Sequence, residues 1–539
     1  MRSGRTDLAL LAVVVAVVAA FAVIPAAALF ARSLAATGGV GGLAAALASP
    51  PDRLAFSNSL LQGSLSAGLA VAVGYPSGVF LGRYRVPGRS AVRSFLLLPF
   101  LLPSLVMVLG VLDLFQANGL LGGPAPSLRW FGSGVPGIVA TNLLYNVPIV
   151  VLLTATGCEA SSSAVEESVA SLGGSPARAY LESWARPSWV GAACGGLLTF
   201  VFSALSFAPP ILLCGSRCNT VEDRVYQLAE LQGDPAAAGV LALVLVGAFL
   251  APALAYVLLA RRLRPARGRT YRPRPVPWGS PGTWGLAAAF VGVLAAESAL
   301  VLSVLVRSVV PAGAGPIGRG WELLLSPSLA SRVGISAGGA VGNTLFFAGL
   351  AAAVGMVLAV ASAYVGARRP GLATPVGLLL FVPVLLSPVV LAEGLAAFWE
   401  TALGGPVNVW LLIVLSQALL ALPFAAQSVE IPLFGLSPSA AEAAETLGAT
   451  SWGAFVDVEL PRVRRGIQTA LLFVFALGMG EFTATYFLVT PQFKTLPVAA
   501  YLLTDDRLYA AAGAAAALLL VLSVVVFALI VGSGTDERP

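Results

Sequence analysis

Of 539 residues, 58% are hydrophobic and 10% charged, and the mean hydropathy is +0.89, which excludes a water-soluble chain with an ordinary polar surface. The formal charge of +6 rests on 31 basic and 25 acidic residues; the basic ones lie between apolar runs, so they read as membrane topology, and no nucleic acid is expected as a partner. A single lysine, Lys494, leaves no place for a GxxxxGK[ST] phosphate loop, and a chain with no histidine and four cysteines is poorly equipped for imidazole catalysis, zinc or haem.

Arg2 and Arg5 precede the apolar run Leu8 to Phe30. A signal-peptide core spans about 7 to 15 residues, so this longer run reads as a retained first span. Runs able to cross a hydrocarbon core, about 20 helical residues each, follow in order. Twelve spans are expected, at 8–31, 56–82, 94–115, 135–157, 190–213 and 237–260, then 284–306, 340–366, 373–398, 407–427, 467–489 and 509–532. The fold class is therefore all-α, a polytopic membrane protein of about twelve transmembrane helices. Between the sixth and seventh spans lies an arginine- and proline-rich linker, 261–282, which divides the chain into halves 1–260 and 283–539. Placing the N-terminus inside gathers most of the 31 basic residues on the cytoplasmic side. By the positive-inside rule this predicts a multi-pass protein of the cell membrane with both termini cytoplasmic.

The halves are internal repeats. At an offset of 285, Asn58-Ser59-Leu60 meets Asn343-Thr344-Leu345, Ser77 meets Ser362 and Arg83 meets Arg368. At an offset of 275, Pro148 meets Pro423, Leu172-Gly173 meets Leu447-Gly448, Phe207 meets Phe482, Thr220 meets Thr495 and Tyr226 meets Tyr501. Six spans return the chain to its starting side, so the repeats are parallel and imply a pseudo-twofold axis along the membrane normal, with the path between the halves.

The loop between the fourth and fifth spans of the second half reads Glu442-Ala443-Ala444-Glu445-Thr446-Leu447-Gly448, followed after nine residues by Val458-Glu459-Leu460-Pro461. Alanine and leucine favour a helix, Gly448 can end it in a left-handed turn, and Pro461 breaks the run toward the next span. The spacing resembles the EAA loop of binding-protein-dependent ABC importer permeases. In the first half Glu167 and Gly173 align with Glu442 and Gly448, but Ser168-Val169 replace the alanines, and Ala185-Arg186 stand in place of Leu460-Pro461, with Pro187 one position late. The resemblance implies a type I ABC importer permease fold in two fused halves. It also implies a short helix on the cytoplasmic face that seats in an ATPase cleft, with the stricter contact in the second half.

The expected partners follow from the same resemblance: two copies of an ABC ATPase subunit, an extracytoplasmic solute-binding protein, membrane lipid, and one copy of this chain per complex. The chain is then no enzyme and holds no cofactor, ATP and magnesium being bound by the ATPase. Gly480-Glu481-Phe482-Thr483-Ala484-Thr485 and Phe493-Lys494-Thr495-Leu496-Pro497 are similar to the late region of thiamine permeases. Ser206-Phe207-Ala208-Pro209-Pro210 and Asn219-Thr220-Val221-Glu222 fit ferric-iron permeases equally well, so the substrate is expected to be thiamine or ferric iron.

Polar groups inside apolar spans are costly in lipid and mark a path or a helix contact. Glu481, Phe482, Ser206, Phe207, Glu393, Gln417 and Asn142 are the candidates for the translocation path, while Asp113 and Glu297 read as contacts between helices. Cys214 and Cys218 form a bridge if their loop faces an oxidising compartment; Cys158 and Cys194 read as packing residues. A twelve-span secondary transporter of the major-facilitator kind is the alternative, against which the EAA spacing counts.

Overall fold

The computed structural model describes residues 3–161, 163–214, 218–263, 273–310, 316–403, 408–437 and 439–532. Among them every regular element is a helix, and extended backbone pairs only in an isolated bridge between Tyr84 and Arg274. Lipid offers backbone groups no water, and a helix satisfies them within one segment.

Nine helices among the described residues are long and apolar enough to cross a membrane: Asp7–Thr37, Pro50–Arg83, Gly134–Glu159, Arg178–Ala204, Pro235–Leu263, Pro281–Val309, Ala337–Arg368, Val409–Gly435 and Tyr509–Leu529. Two further crossings are bent pairs, Arg89–Pro99 with Ser104–Phe115 at 92° and Ala373–Leu385 with Pro388–Leu403 at 89°. Expectation had these two, 94–115 and 373–398, as straight spans, and the structure corrects it. Pro103 holds Leu102 extended (φ −76°, ψ 147°). At the equivalent break Ser387 takes the left-handed conformation (φ 62°) ahead of Pro388.

Two more expected spans end early. The crossing expected at 190–213 stops at Ala204, before the separate helix Ala208–Leu213. The one expected at 467–489 is a 17-residue helix, Arg464–Gly480, which unwinds at Glu481 and Phe482 before Thr483–Leu488. The two unwound points, Ser206-Phe207 and Glu481-Phe482, are equivalent under the repeat. Of the linker, residues 264–272 lie outside the described residues. Arg274 beyond them is tied to the first half, its N–H donating to the Arg83 carbonyl and its carbonyl accepting from Arg85 N–H.

Small residues let the helices approach closely. Along Pro50–Arg83, Gly74, Gly78 and Gly82 face Gly134–Glu159; a Cβ on Gly78 would lie 2.5 Å from Thr154 Cβ and 2.6 Å from the Val151 carbonyl oxygen. The halves also interlock. The first helix leans on the second half, Ser3–Val18 against Ala337–Arg368 and Ile24–Thr37 against Pro388–Leu403. In return Pro281–Val309 packs on Pro50–Arg83 and Ser104–Phe115 of the first half. Asp7 fastens one of these crossings, accepting from Tyr364 at 3.2 Å and pairing with Arg369 at 3.2 Å.

Candidate functional site

Both EAA-type segments lie at one end of the bundle, the loop face. Each is a short helix, Ser163–Ser171 in the first half and Ser439–Thr446 in the second. Each ends in the same turn. Gly173 (φ 73°) and Gly448 (φ 99°) are left-handed. Gly448 N–H donates to the Glu445 carbonyl and Ala449 N–H to the Ala444 carbonyl, while Gly173 and Gly174 do the same to Ala170 and Val169. This is the paired-bond helix stop that glycine favours. Glu442, Ala443, Glu167 and Gly173 are exposed, and Ala444 is half-buried.

The turn presents a leucine outward in each copy: Leu172 is 88% exposed and Leu447 89%. Sequence reasoning used these two as repeat markers, and Leu447 also as a helix former, but not as a contact. The signal was available, since an apolar side chain beside a helix-ending glycine in a polar loop has nothing of its own chain to cover it.

Arg83 and Arg368, at the loop-face ends of equivalent spans, hold the segments in place by different contacts. Arg368 pairs with Glu459 at 3.0 Å, and burial pushes the Glu459 carboxyl above its usual range while Arg368 pulls it down. At the position equivalent to Glu459 the first half has Trp184, and the Arg83 guanidinium lies over its ring, 4.1 Å from the centroid. Arg83 pairs instead with Glu166, at 2.5 Å, which Arg274 of the linker also reaches at 3.1 Å. The second half has buried Ala441 there. After each short helix comes a π-helical turn, Leu181–Ala185 and Phe455–Glu459. The first half then runs on unbroken through Pro187, whereas Leu460 and Pro461 form a separate turn that breaks at Val463 before Arg464.

Between the halves lies a cavity of about 180 Å³. Its wall contains six of the seven path candidates: Asn142, Ser206 and Phe207 of the first half, and Gln417, Glu481 and Phe482 of the second. The breaks in the bent pairs reach it through Leu102 and Pro388. The seventh candidate, Glu393, lies elsewhere. The 89° bend carries its helix sideways, and it lines a separate small pocket with Val225 and Ala229 of the first half, beside the Glu230 carboxylate. Asp113 sits beside Arg307, and Glu297 is fully buried with no hydrogen-bond partner on either oxygen.

Glu481 does not extend a free charge into the cavity. It accepts from Ala484 N–H, Thr485 N–H and the Thr485 hydroxyl, each at 2.7 Å, so its carboxylate is spent on the N-terminus of the helix that follows the unwound residues. Gln417 donates to Thr485 Oγ1 at 3.3 Å. Across the axis Asn142 donates to Gln62 at 2.8 Å and to the Ser206 hydroxyl at 3.2 Å, and Ser206 in turn donates to the Ser203 carbonyl at 2.7 Å.

On the side away from the loop face aromatic rings from both halves pack together beside the cavity, Phe207 and Phe482 standing in its wall. Phe207 and Phe482 stack at 6.2 Å, Phe482 meets Tyr501 at 5.0 Å, Tyr501 meets Tyr486 at 5.1 Å and Phe207 meets Tyr226 at 5.6 Å. Toward the loop face Phe202 and Phe424, 5.7 Å apart, separate it from a second apolar cavity of about 190 Å³. Glu222, next to the ring cluster, reaches the break of the second bent pair. Burial pushes its carboxyl up to about 8, the Ser387 hydroxyl that donates to it at 3.1 Å pulling the other way. Cys214 and Cys218, on the same side as the rings, are joined in a disulfide, and Cys158 and Cys194 are buried.

Comparison with known proteins matches this arrangement to one family in two places. The family described as the binding-protein-dependent transport system inner membrane component matches residues 74–266 and again 376–533, and each match contains one of the capped loops. The chain is 26% identical over 467 residues to the thiamine transport system permease protein ThiP of Escherichia coli (strain K12), covering 82% of each chain. It is 28% identical over 455 residues to the protein of the same name from Salmonella typhimurium, again covering 82% of each. A shorter likeness, 34% over 95 residues, joins it to the molybdenum transport system permease protein ModB of Haemophilus influenzae, covering 17% of this chain and 42% of that one. Two matched copies spanning most of a polytopic helical chain leave one assignment: this protein belongs to the binding-protein-dependent transport system inner membrane components, the permease subunits of ABC importers.

Proposed function

We propose that this chain is the permease of a thiamine importer. Its halves, 1–260 and 283–539, are joined by a cytoplasmic linker at 261–282. Both termini and both capped loops face the cytoplasm, where two ATPase subunits holding ATP and magnesium dock, while a solute-binding protein delivers substrate to the opposite face. One copy of the chain serves the complex, because each half supplies one docking loop.

The observation that supports this most is the pairing of two identically capped loops on one face with a cavity, lined by the path candidates of both halves, lying between the halves. Closure of two ATPases beneath Leu172 and Leu447 then acts on both walls of that chamber. The thiamine assignment draws on the permeases matched over 82% of the chain. Ferric iron has less support: the one carboxylate in the chamber wall is spent on a helix N-terminus, and no group of three or more His, Cys, Asp or Glu among the described residues could hold a metal.

Reconstituted with its ATPase and binding protein, the chain should import thiamine in vesicles when ATP is present on the loop face. Uptake of ferric ion with none of thiamine would overturn the substrate, and a native mass with two copies of this chain would overturn the stoichiometry.

The orientation has its own test. A disulfide persists in an oxidising compartment, so a membrane-impermeant maleimide added outside intact cells should label Cys214 and Cys218 after reduction and only then. Labelling solely from the inside would reverse the topology.

A further inference from the structure

The first crossing ends at Thr37, where Gly38 (φ 86°) and Gly39 (φ 69°) are both left-handed and turn the chain back into a short helix, Val40–Ala48. That helix packs on Pro50–Arg83 and Pro235–Ala260. Arg83 stands at the loop face, so Pro50 and the short helix beside it stand at the opposite end. The three helices enclose a groove of about 590 Å³, against about 180 Å³ for the chamber. Its volume falls within the range of about 300 to 1,000 Å³ usual for a ligand site.

Charge and apolar surface are separated along this groove. Arg53, Leu54, Ser57 and Leu60 all line it, at the three- and four-residue spacing that sets side chains on one face of a helix. Arg53 is near the start of the helix, and Leu60 lies about 10 Å further along its axis toward the loop face. Leu241 and Val244 of Pro235–Ala260 line the groove with it.

Three polar side chains stand in the wall, and two of them are spent. Asp52 pairs with Arg224 at 2.7 Å, and the Ser57 hydroxyl donates to the Leu54 carbonyl at 2.9 Å. The Arg53 guanidinium is exposed and has no ion pair or side-chain hydrogen bond among the described residues. The wall therefore offers one unspent positive charge at its outer end and hydrocarbon below it. The repeat does not require this charge: at the offset of 285, Gly338 stands in place of Arg53 and Gly342 in place of Ser57. It belongs to the first half and is no part of the machinery the halves share.

A guanidinium matches the geometry of a phosphate, and an apolar trough leading away from it matches an acyl chain below its headgroup. The uncompensated charge favours a lipid with a net negative headgroup over a zwitterionic one. We infer that this groove seats one anionic phospholipid, its phosphate on Arg53 and an acyl chain along Leu54, Leu60, Leu241 and Val244.

Native mass measurement of the purified full chain, released from detergent holding equimolar phosphatidylglycerol and phosphatidylcholine, tests this. A basic side chain at a membrane surface is enough to make the wild type retain phosphatidylglycerol about fivefold more than phosphatidylcholine. Arg53→Gln, which breaks no contact of the fold, should bring the two lipids level. Val244→Trp, which fills the apolar part, should lower retention of both several-fold. Glycerol phosphate at the same concentration, a headgroup without acyl chains, should displace neither. Equal retention by the wild type, or a preference unmoved by Arg53→Gln, overturns the inference. Retention unchanged in Val244→Trp places the lipid elsewhere and overturns it too. Displacement by glycerol phosphate would mark a site for a free anion in place of a lipid.

Discussion

Leu447→Asp should abolish substrate-stimulated ATP hydrolysis by the assembled complex while the chain still inserts and is expressed at its usual level. The side chain is 89% exposed and touches nothing the fold depends on, so its loss costs the chain little. Covered by a partner, the leucine contributes about 2 kcal/mol of apolar burial, and an aspartate in the same pocket adds the cost of burying a charge. Gly448→Asp reaches the same end through the backbone. At φ 99° any side chain is strained by about 1 to 3 kcal/mol, and since nothing lies within 4 Å of a Cβ built there, the effect is conformational rather than steric. Glu442→Arg, on the exposed face of the same helix, should also uncouple.

Gly173→Asp should cost less, because Arg83 and Arg274 hold the first loop helix through Glu166, a fastening that Ala441 denies the second. ATPase activity of the purified complex, with and without loaded binding protein, measures all four variants. Normal stimulation in Leu447→Asp and Gly448→Asp would remove the docking role.

The second large effect is expected at the ring cluster beside the chamber, read as its closure on the disulfide side. Phe482→Ala in a site 2% exposed removes about 3 to 5 kcal/mol of packing from the closed arrangement. A shift of that size moves a two-state equilibrium by more than about a hundredfold. The chamber should then open to the disulfide side without substrate. A cysteine at Ser206, silent to impermeant thiol reagents in the otherwise unaltered chain at rest, should react from outside in the Phe482→Ala background, and basal ATP hydrolysis should rise several-fold. A Ser206→Cys side chain that stays unreactive in both backgrounds would show that the rings are packing and not a closure.

The repeat made much of the chamber legible. An offset of 275 pairs Asn142 with Gln417, Ser206 with Glu481 and Phe207 with Phe482, and all six side chains meet in one wall. Glu393 was misplaced because hydropathy reads 373–398 as one straight run, and only the backbone reversal at Ser387 turns the second part aside. Pro103 and Pro388 stood in the sequence as warnings of both bends, but a proline inside an apolar run is common enough in membrane helices to be read as a mild kink. Glu481 reads in sequence as a charge on the translocation path. Its use as a cap depends on Gly480 ending a helix and Thr483 starting another, a matter of helix ends that composition does not report. Arg83 and Arg368 mark the repeat in sequence, yet their partners differ in each half, so the equivalence of their task shows only in three dimensions.

The clasp between Asp7 and the pair Tyr364 and Arg369 bears on how the chain is made. At roughly 5 to 20 residues per second, a helix carrying Asp7 waits about 20 to 70 seconds for its partners to be synthesised. Throughout that interval the first crossing stands in the membrane with its polar foot unclasped. The ribosome delivers the lock long after the key, and a chain released early would keep an orphaned helix for the quality-control machinery to find.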